Sequence, residues 1–196
     1  MKGMLLLFVM TTFCVSAEIT LFGMLDAKAQ QRYGKKYAAL KSELKKIPDY
    51  DVFVNELDSG KPVKVGNRKN KYGVKSISVP DYKKVFESLA NMDKHTRSSL
   101  PAFYAFVLSE VSTVTRSEAF NTKYGKPFSD RLVDHGMCEG YFWKGQIAQH
   151  STATYSKSAW FFKKASKICT DYLQRRALME ASRMQYLATS RKKVSP

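Results

Sequence analysis

The chain reads as a mainly α protein, a helical bundle of about five helices with one small β-hairpin and one disulfide, preceded by a leader that is removed. Three features predict this. Apolar residues recur at steps of three and four along most of the chain. Alternating apolar residues are confined to the region between Asp49 and Val79. The amino terminus is a short apolar run that ends in small residues.

The leader is Met1–Ala17, MKGMLLLFVMTTFCVSA. Lys2 and the terminal amine supply positive charge, Met4–Met10 is unbroken apolar sequence, and Val15-Ser16-Ala17 places modest side chains where a signal peptidase reads, so cleavage is expected between Ala17 and Glu18. The run is shorter than the roughly 20 apolar residues of a membrane span. Extending it through Ile19–Leu25 would place Glu18 in the bilayer, which costs several kcal/mol. Residues 18–196 then form a single basic domain whose net charge, after loss of Lys2, falls from +16 to +15. Cys14 departs with the leader and leaves Cys138 and Cys169, an even pair that predicts a disulfide in an oxidising compartment. No N-x-[ST] sequon occurs, since Asn121-Thr122-Lys123 misses it, which favours a bacterial periplasmic or secreted protein. No later stretch is long and apolar enough to span a bilayer.

Asp26 is a candidate cap for a helix reaching Ile47, with a stripe of Ala29, Tyr33, Tyr37, Leu40, Leu44 and Ile47 and a stop at Pro48. This helix, within residues 18–48, either packs on the domain or stands off as an arm. Val52 and Val54 alternate and could form a short strand before the turn Asp58–Pro62, while Val63 and Val65, then Val74, Ile77 and Val79, flank Gly66–Gly73 and fit a β-hairpin or an irregular loop with a basic tip. Ser78 caps the next predicted helix, whose apolar face is Tyr82, Val85, Phe86, Leu89 and Met92. Leu100-Pro101 opens a helix expected to run to Phe120 at the centre of the domain, because its polar residues are small and Glu110 is its one obvious charge. Asn121–Pro127 reads as a loop, and Ser129 as the cap of a helix running to Ala148. Gly136 and Gly140 share a face of it, where a neighbouring backbone could approach closely. The last predicted helix is continuous from Ser156 to Thr189, and residues 190–196 should fray. A Cys138–Cys169 bridge would staple the last two helices together.

Positive charge is the main functional signal. Lys61, Lys64, Arg68, Lys69, Lys71 and Lys75 surround Tyr72 with no acidic residue between them. Lys157, Lys163, Lys164 and Lys167 interleave with Trp160 and Phe161. A third group is Arg175, Arg176, Arg183, Arg191, Lys192 and Lys193. Such clusters attract polyanions, and outside the cytoplasm these are anionic envelope components or acidic proteins, with nucleic acid the less favoured partner. The leading expectation is a non-enzymatic, exported binding protein that occupies an anionic surface or an acidic partner at the cell envelope, with no cofactor. A phage- or plasmid-borne periplasmic exclusion or transfer accessory is one form this could take. An envelope DNA-binding protein is another reading. So is a hydrolase or metalloenzyme centred on His135, Glu139 and His150, because His135 and Glu139 share a helix face at i, i+4. The second half of a zinc motif, a nucleotide-binding glycine loop and a G-x-S-x-G nucleophile are all missing.

Overall fold

Gly34 divides the first predicted helix. Its backbone lies at φ 50°, outside the helical region, and separates α1 (Leu21–Tyr33) from α2 (Lys35–Leu44). The computed structural model describes residues 21–48, 50, 64–65, 76–77, 79–111 and 117–192. The predicted stripe survives the break: Ala29, Tyr37, Leu40 and Leu44 are buried, and Tyr33 and Ile47 are partly buried against the same core. This segment therefore packs on the domain, with α1 against the central helix. Asp26 does not cap; it sits inside α1, where its carboxylate accepts hydrogen bonds from the Tyr37 hydroxyl and, at 3.2 Å, from Lys41 Nζ. It thereby latches α2 to α1 across the break.

The predicted hairpin is corrected. Lys64–Val65 (β1) and Ser76–Ile77 (β2) pair in parallel, Lys64 opposite Ser76 and Val65 opposite Ile77. Hairpin strands run antiparallel. Alternating valines specify the faces of a strand but not the direction of its partner, so periodicity could not distinguish the two arrangements. The turn Asp58–Pro62, the basic tip and the Ser78 cap lie outside the described residues.

Helix α3 (Val79–Lys94) buries Val85, Phe86 and Leu89. It leads to α4 (Leu100–Val111), whose first backbone N–H donates to Ser98 Oγ at 3.2 Å. Every residue from Leu100 to Ser109 is buried, which makes α4 the centre of the bundle, as its apolar composition predicts. Helices α1 and α3 pack on it.

The expected loop Asn121–Pro127 is helical. Ser117 Oγ accepts from Phe120 N at 3.1 Å and caps α5 (Glu118–Phe120), which continues through a π-turn (Asn121–Gly125) into α6 (Lys126–Asp134). Polar residues and a glycine suggest a loop, but packing decides otherwise: Tyr124 is buried with its ring 5.7 Å from Phe86 and 5.4 Å from Phe120. Tertiary contact outweighs weak local propensity. Ser129 is not a cap either; it is fully buried inside α6 and donates to the Lys126 carbonyl at 2.9 Å.

The predicted helix Ser129–Ala148 is two helices. Gly136, at φ 67°, follows the end of α6; its N–H reaches the Val133 carbonyl at 2.8 Å, and the Met137 N–H reaches Leu132 at 2.9 Å. These are the paired bonds of a Schellman stop, which favours glycine. Helix α7 (Cys138–Ala148) begins two residues later. The last predicted helix also divides. A 3-10 turn (Thr152–Thr154) leads into α8 (Tyr155–Ile168), and Cys169 then turns extended, at φ −70° and ψ 157°, before α9 (Asp171–Lys192). The Cys138–Cys169 disulfide joins the start of α7 to the end of α8, with Cα atoms 5.2 Å apart. Helix α8 packs between α7 and α9. Phe142 forms the hinge of this packing, with its ring edge-on to Phe106 at 6.3 Å and to Phe162 at 5.3 Å. Among the described residues no helix is long and apolar enough to cross a membrane.

Candidate anion-binding surface

Helix α8 contains four lysines and no acidic residue. Its inner side is Ala159, Phe162 and Ala165, with Ser158 and Ser166 buried alongside. Both serines are satisfied locally: Ser158 donates to the Gly145 carbonyl at 2.8 Å and Ser166 to Lys163 at 2.9 Å. Helical periodicity then turns Lys157, Trp160, Lys163, Lys164 and Lys167 to solvent together.

Trp160 is 51 % exposed and meets the half-buried Phe161 edge-on, with ring centroids 5.1 Å apart. Lys164 Nζ lies 5.5 Å from the Trp160 ring, while Lys157 and Lys144 stand 5.9 and 5.8 Å from Phe161. Ammonium groups are drawn to ring faces in this range. Lys144 also pairs with Asp130 at 2.5 Å. The lysines of α8 itself have no carboxylate partner among the described residues. Ile168, 47 % exposed, extends the apolar part of the face toward the end of the helix.

The other predicted residues fall elsewhere. Lys61, Arg68, Lys69, Lys71, Tyr72 and Lys75 lie outside the described residues, as do Ala17 and Glu18, and Lys64 is described only as the backbone partner of Ser76. The arginines of α9 do not form a single patch. Arg183 pairs with Glu180 at 3.2 Å, while Arg176 turns inward to the Glu110 carboxylate, which is only 1 % exposed. Gln146 donates to the same carboxylate at 2.5 Å. Burial pulls the Arg176 pKa down, but Glu110 and the Tyr172 hydroxyl more than offset this and raise it overall. This buried group lines a cavity of about 390 Å3, with Asn121 of the π-turn and His150 at its wall.

His135 and Glu139 are not joined by His150. His135 closes α6 and lines a different cavity, of about 690 Å3, beside Arg32, Lys36 and Arg97. Thr96, Ser98 and Ser99 supply hydroxyls to the same wall. Glu139 is 1 % exposed; its Oε1 lies 3.3 Å from Lys28 Nζ and accepts from Arg32 Nη1 at 3.4 Å, while Oε2 is buried with no hydrogen-bond partner. Among the described residues no three histidine, cysteine or carboxylate side chains come together as metal ligands do. Sequence reasoning missed the cavity shared by Arg32, Lys36, Arg97 and His135, because three separate segments build it and none carries a local pattern. The chain matches no protein-family model, no curated protein and no solved structure.

Proposed function

We propose that the protein is an exported, non-enzymatic binding protein that docks on an anionic lipid surface of the cell envelope through the outer face of α8. The observation that carries this reading is the ring of Lys157, Lys163, Lys164 and Lys167 around the half-exposed Trp160, with no acidic residue on the helix. A lysine near an anionic membrane contributes about 1 kcal/mol. Four therefore give weak, reversible attraction, in the millimolar range by themselves. Trp160 adds an apolar body that seats at headgroup depth, where indoles are enriched. The Cys138–Cys169 bridge supports the compartment, because disulfides persist where glutathione does not reduce them. Its action is occupancy: it covers, recruits to or stabilises a site at the envelope.

Trp160 provides the test. The chain has two tryptophans, and the other, Trp143, is only 2 % exposed. On adding vesicles of phosphatidylcholine with phosphatidylglycerol to the exported form, Trp160 emission should shift to the blue and the protein should sediment with the lipid. Neutral vesicles should do neither, and binding should weaken as salt rises. Replacing Lys157, Lys163, Lys164 and Lys167 by glutamate should abolish both signals. Sedimentation that survives this reversal, with Trp160 emission unmoved, would remove α8 as the docking face.

A further inference from the structure

We propose that the open cavity bordered by the α1–α2 junction, the α3–α4 connection and the end of α6 is a binding site for a phosphate group. It is separate from the residues proposed for surface docking and does not depend on that reading. Arg32, Lys36 and Arg97 supply three permanent positive charges to its wall, His135 adds an imidazole, and among the described residues no carboxylate lines it. That composition differs from the cavity beside Arg176, where Glu110 and Glu180 offset the cations.

Each segment contributes for a stated reason. Arg32, near the end of α1, and Lys36, near the start of α2, stand on either side of the break at Gly34 and line the same cavity. On the α3–α4 connection, Thr96 Oγ1 accepts from Ser98 N at 3.1 Å and Ser98 Oγ accepts from Leu100 N at 3.2 Å. Each hydroxyl uses a lone pair on the backbone and keeps its O–H to donate. The connection is held from behind by Arg131, which donates to the Thr96 carbonyl. Two further wall hydroxyls are already engaged, since Tyr33 Oη and Ser99 Oγ share a hydrogen bond at 3.1 Å. They stiffen the wall while Thr96 and Ser98 remain available.

Only the Arg32 charge is offset by a carboxylate among the described residues. Lys36 and Arg97 are exposed and have no ion-pair partner among the described residues. Glu139 is shared between Lys28 and Arg32 and offsets part of the Arg32 charge, while Asp93 pairs with Arg131 at 3.6 Å. The cavity also lies at the start of α4, where the helix dipole adds positive potential. A tetrahedral phosphate presents oxygens in several directions and suits donors arriving from separate segments. A planar carboxylate would be satisfied by a single arginine fork. The cavity, at about 690 Å3, has room for a phosphomonoester as well as the free ion. The shared chemistry is the phosphate group, whether as inorganic phosphate or as the headgroup of a larger molecule.

Calorimetry on the purified protein at fixed ionic strength tests this, with inorganic phosphate in one arm, glycerol 3-phosphate in a second and chloride in a third. Saturable one-to-one binding should appear in at least one of the phosphate arms and not with chloride. Stronger binding of glycerol 3-phosphate assigns a headgroup, and stronger binding of inorganic phosphate assigns the free ion. Arg97→Ala and Lys36→Ala, which alter exposed residues and should leave the melting temperature unchanged, should each weaken binding about tenfold, the loss expected for one charge-assisted contact. Lys84→Glu, at an exposed residue of α3 outside the cavity wall, should leave it unchanged. No saturable heat in either phosphate arm overturns the proposal. So does equal weakening by Lys84→Glu, because the attraction would then belong to overall charge and not to the cavity.

Discussion

Replacing Gly140 by alanine should destabilise the protein by about 3 kcal/mol. The magnitude follows from three contacts. A Cβ built on Gly140 would stand 2.7 Å from Val133 N, 2.8 Å from Leu132 Cβ and 2.8 Å from the Ser129 carbonyl oxygen. Two of these atoms are backbone and the third is a Cβ, so no rotamer change relieves the overlap. Helix α7 would have to lift from α6. Alanine is the better helix former by about 1 kcal/mol, which offsets part of the cost. Overpacking in a tight core usually costs about 1–3 kcal/mol and occasionally more, and the absence of any yielding atom places this site at the upper end. For a domain of this size the melting temperature should fall by about 6–12 °C. Thermal and urea unfolding, followed by circular dichroism and by the emission of the buried Trp143, would measure it. Gly145→Ala is the control: its Cβ would meet Phe162 ring atoms at 2.8 to 2.9 Å, and a ring can tilt where a backbone cannot. If Gly140→Ala is neutral or stabilising, α7 does not approach α6 this closely, and the packing described for these helices is wrong.

Two further expectations concern the disulfide and the buried tyrosines. Replacing Cys138 and Cys169 by serine opens a loop closed across 31 residues, and chain entropy puts the loss at about 3–4 kcal/mol, readable as a lower urea midpoint that the native protein should match once reduced. Burial, as the largest cause, raises the pKa of Tyr33 and raises that of Tyr104 well above the usual 10.0. The folded state therefore holds protons that the unfolded chain releases first. Their contribution is fully present below pH 10 and is lost as pH rises from there through the folded-state values. Urea midpoints should fall steeply above about pH 10, and the fall should be shallower in Tyr104→Phe. An unchanged pH dependence in that variant would show that Tyr104 titrates as an exposed phenol.

The stripe from Ala29 to Ile47, the apolar run of α4 and the alternation of lysines with Trp160 are all local patterns, and each was legible. The breaks within predicted helices were less so. Gly136 stands where a Schellman stop requires glycine, and it can be read from sequence only if its positive φ is anticipated. Nothing at Cys169 and Thr170 resembles a helix terminator; neither is glycine or proline, and α8 ends at Ile168, just before the extended Cys169 that is bonded to Cys138. The π-turn is a similar case, since Asn121–Gly125 becomes helical only because Tyr124 has Phe86 and Phe120 to pack against.

Sequence alone determined the helical class, the central place of α4, the cysteine pairing and the basic, tryptophan-bearing face of α8. All four rest on composition or on spacing within a single segment or a single pair of residues, and these do not change when the chain folds. Tertiary structure alone decided where the long helices break, that β1 and β2 run parallel, that Glu110 meets Arg176, and that Arg32, Lys36, Arg97 and His135 share one cavity. Those outcomes depend on which distant segments meet. They are selected by packing and by the cost of leaving charge buried without a partner, and neither quantity exists in an isolated stretch of chain.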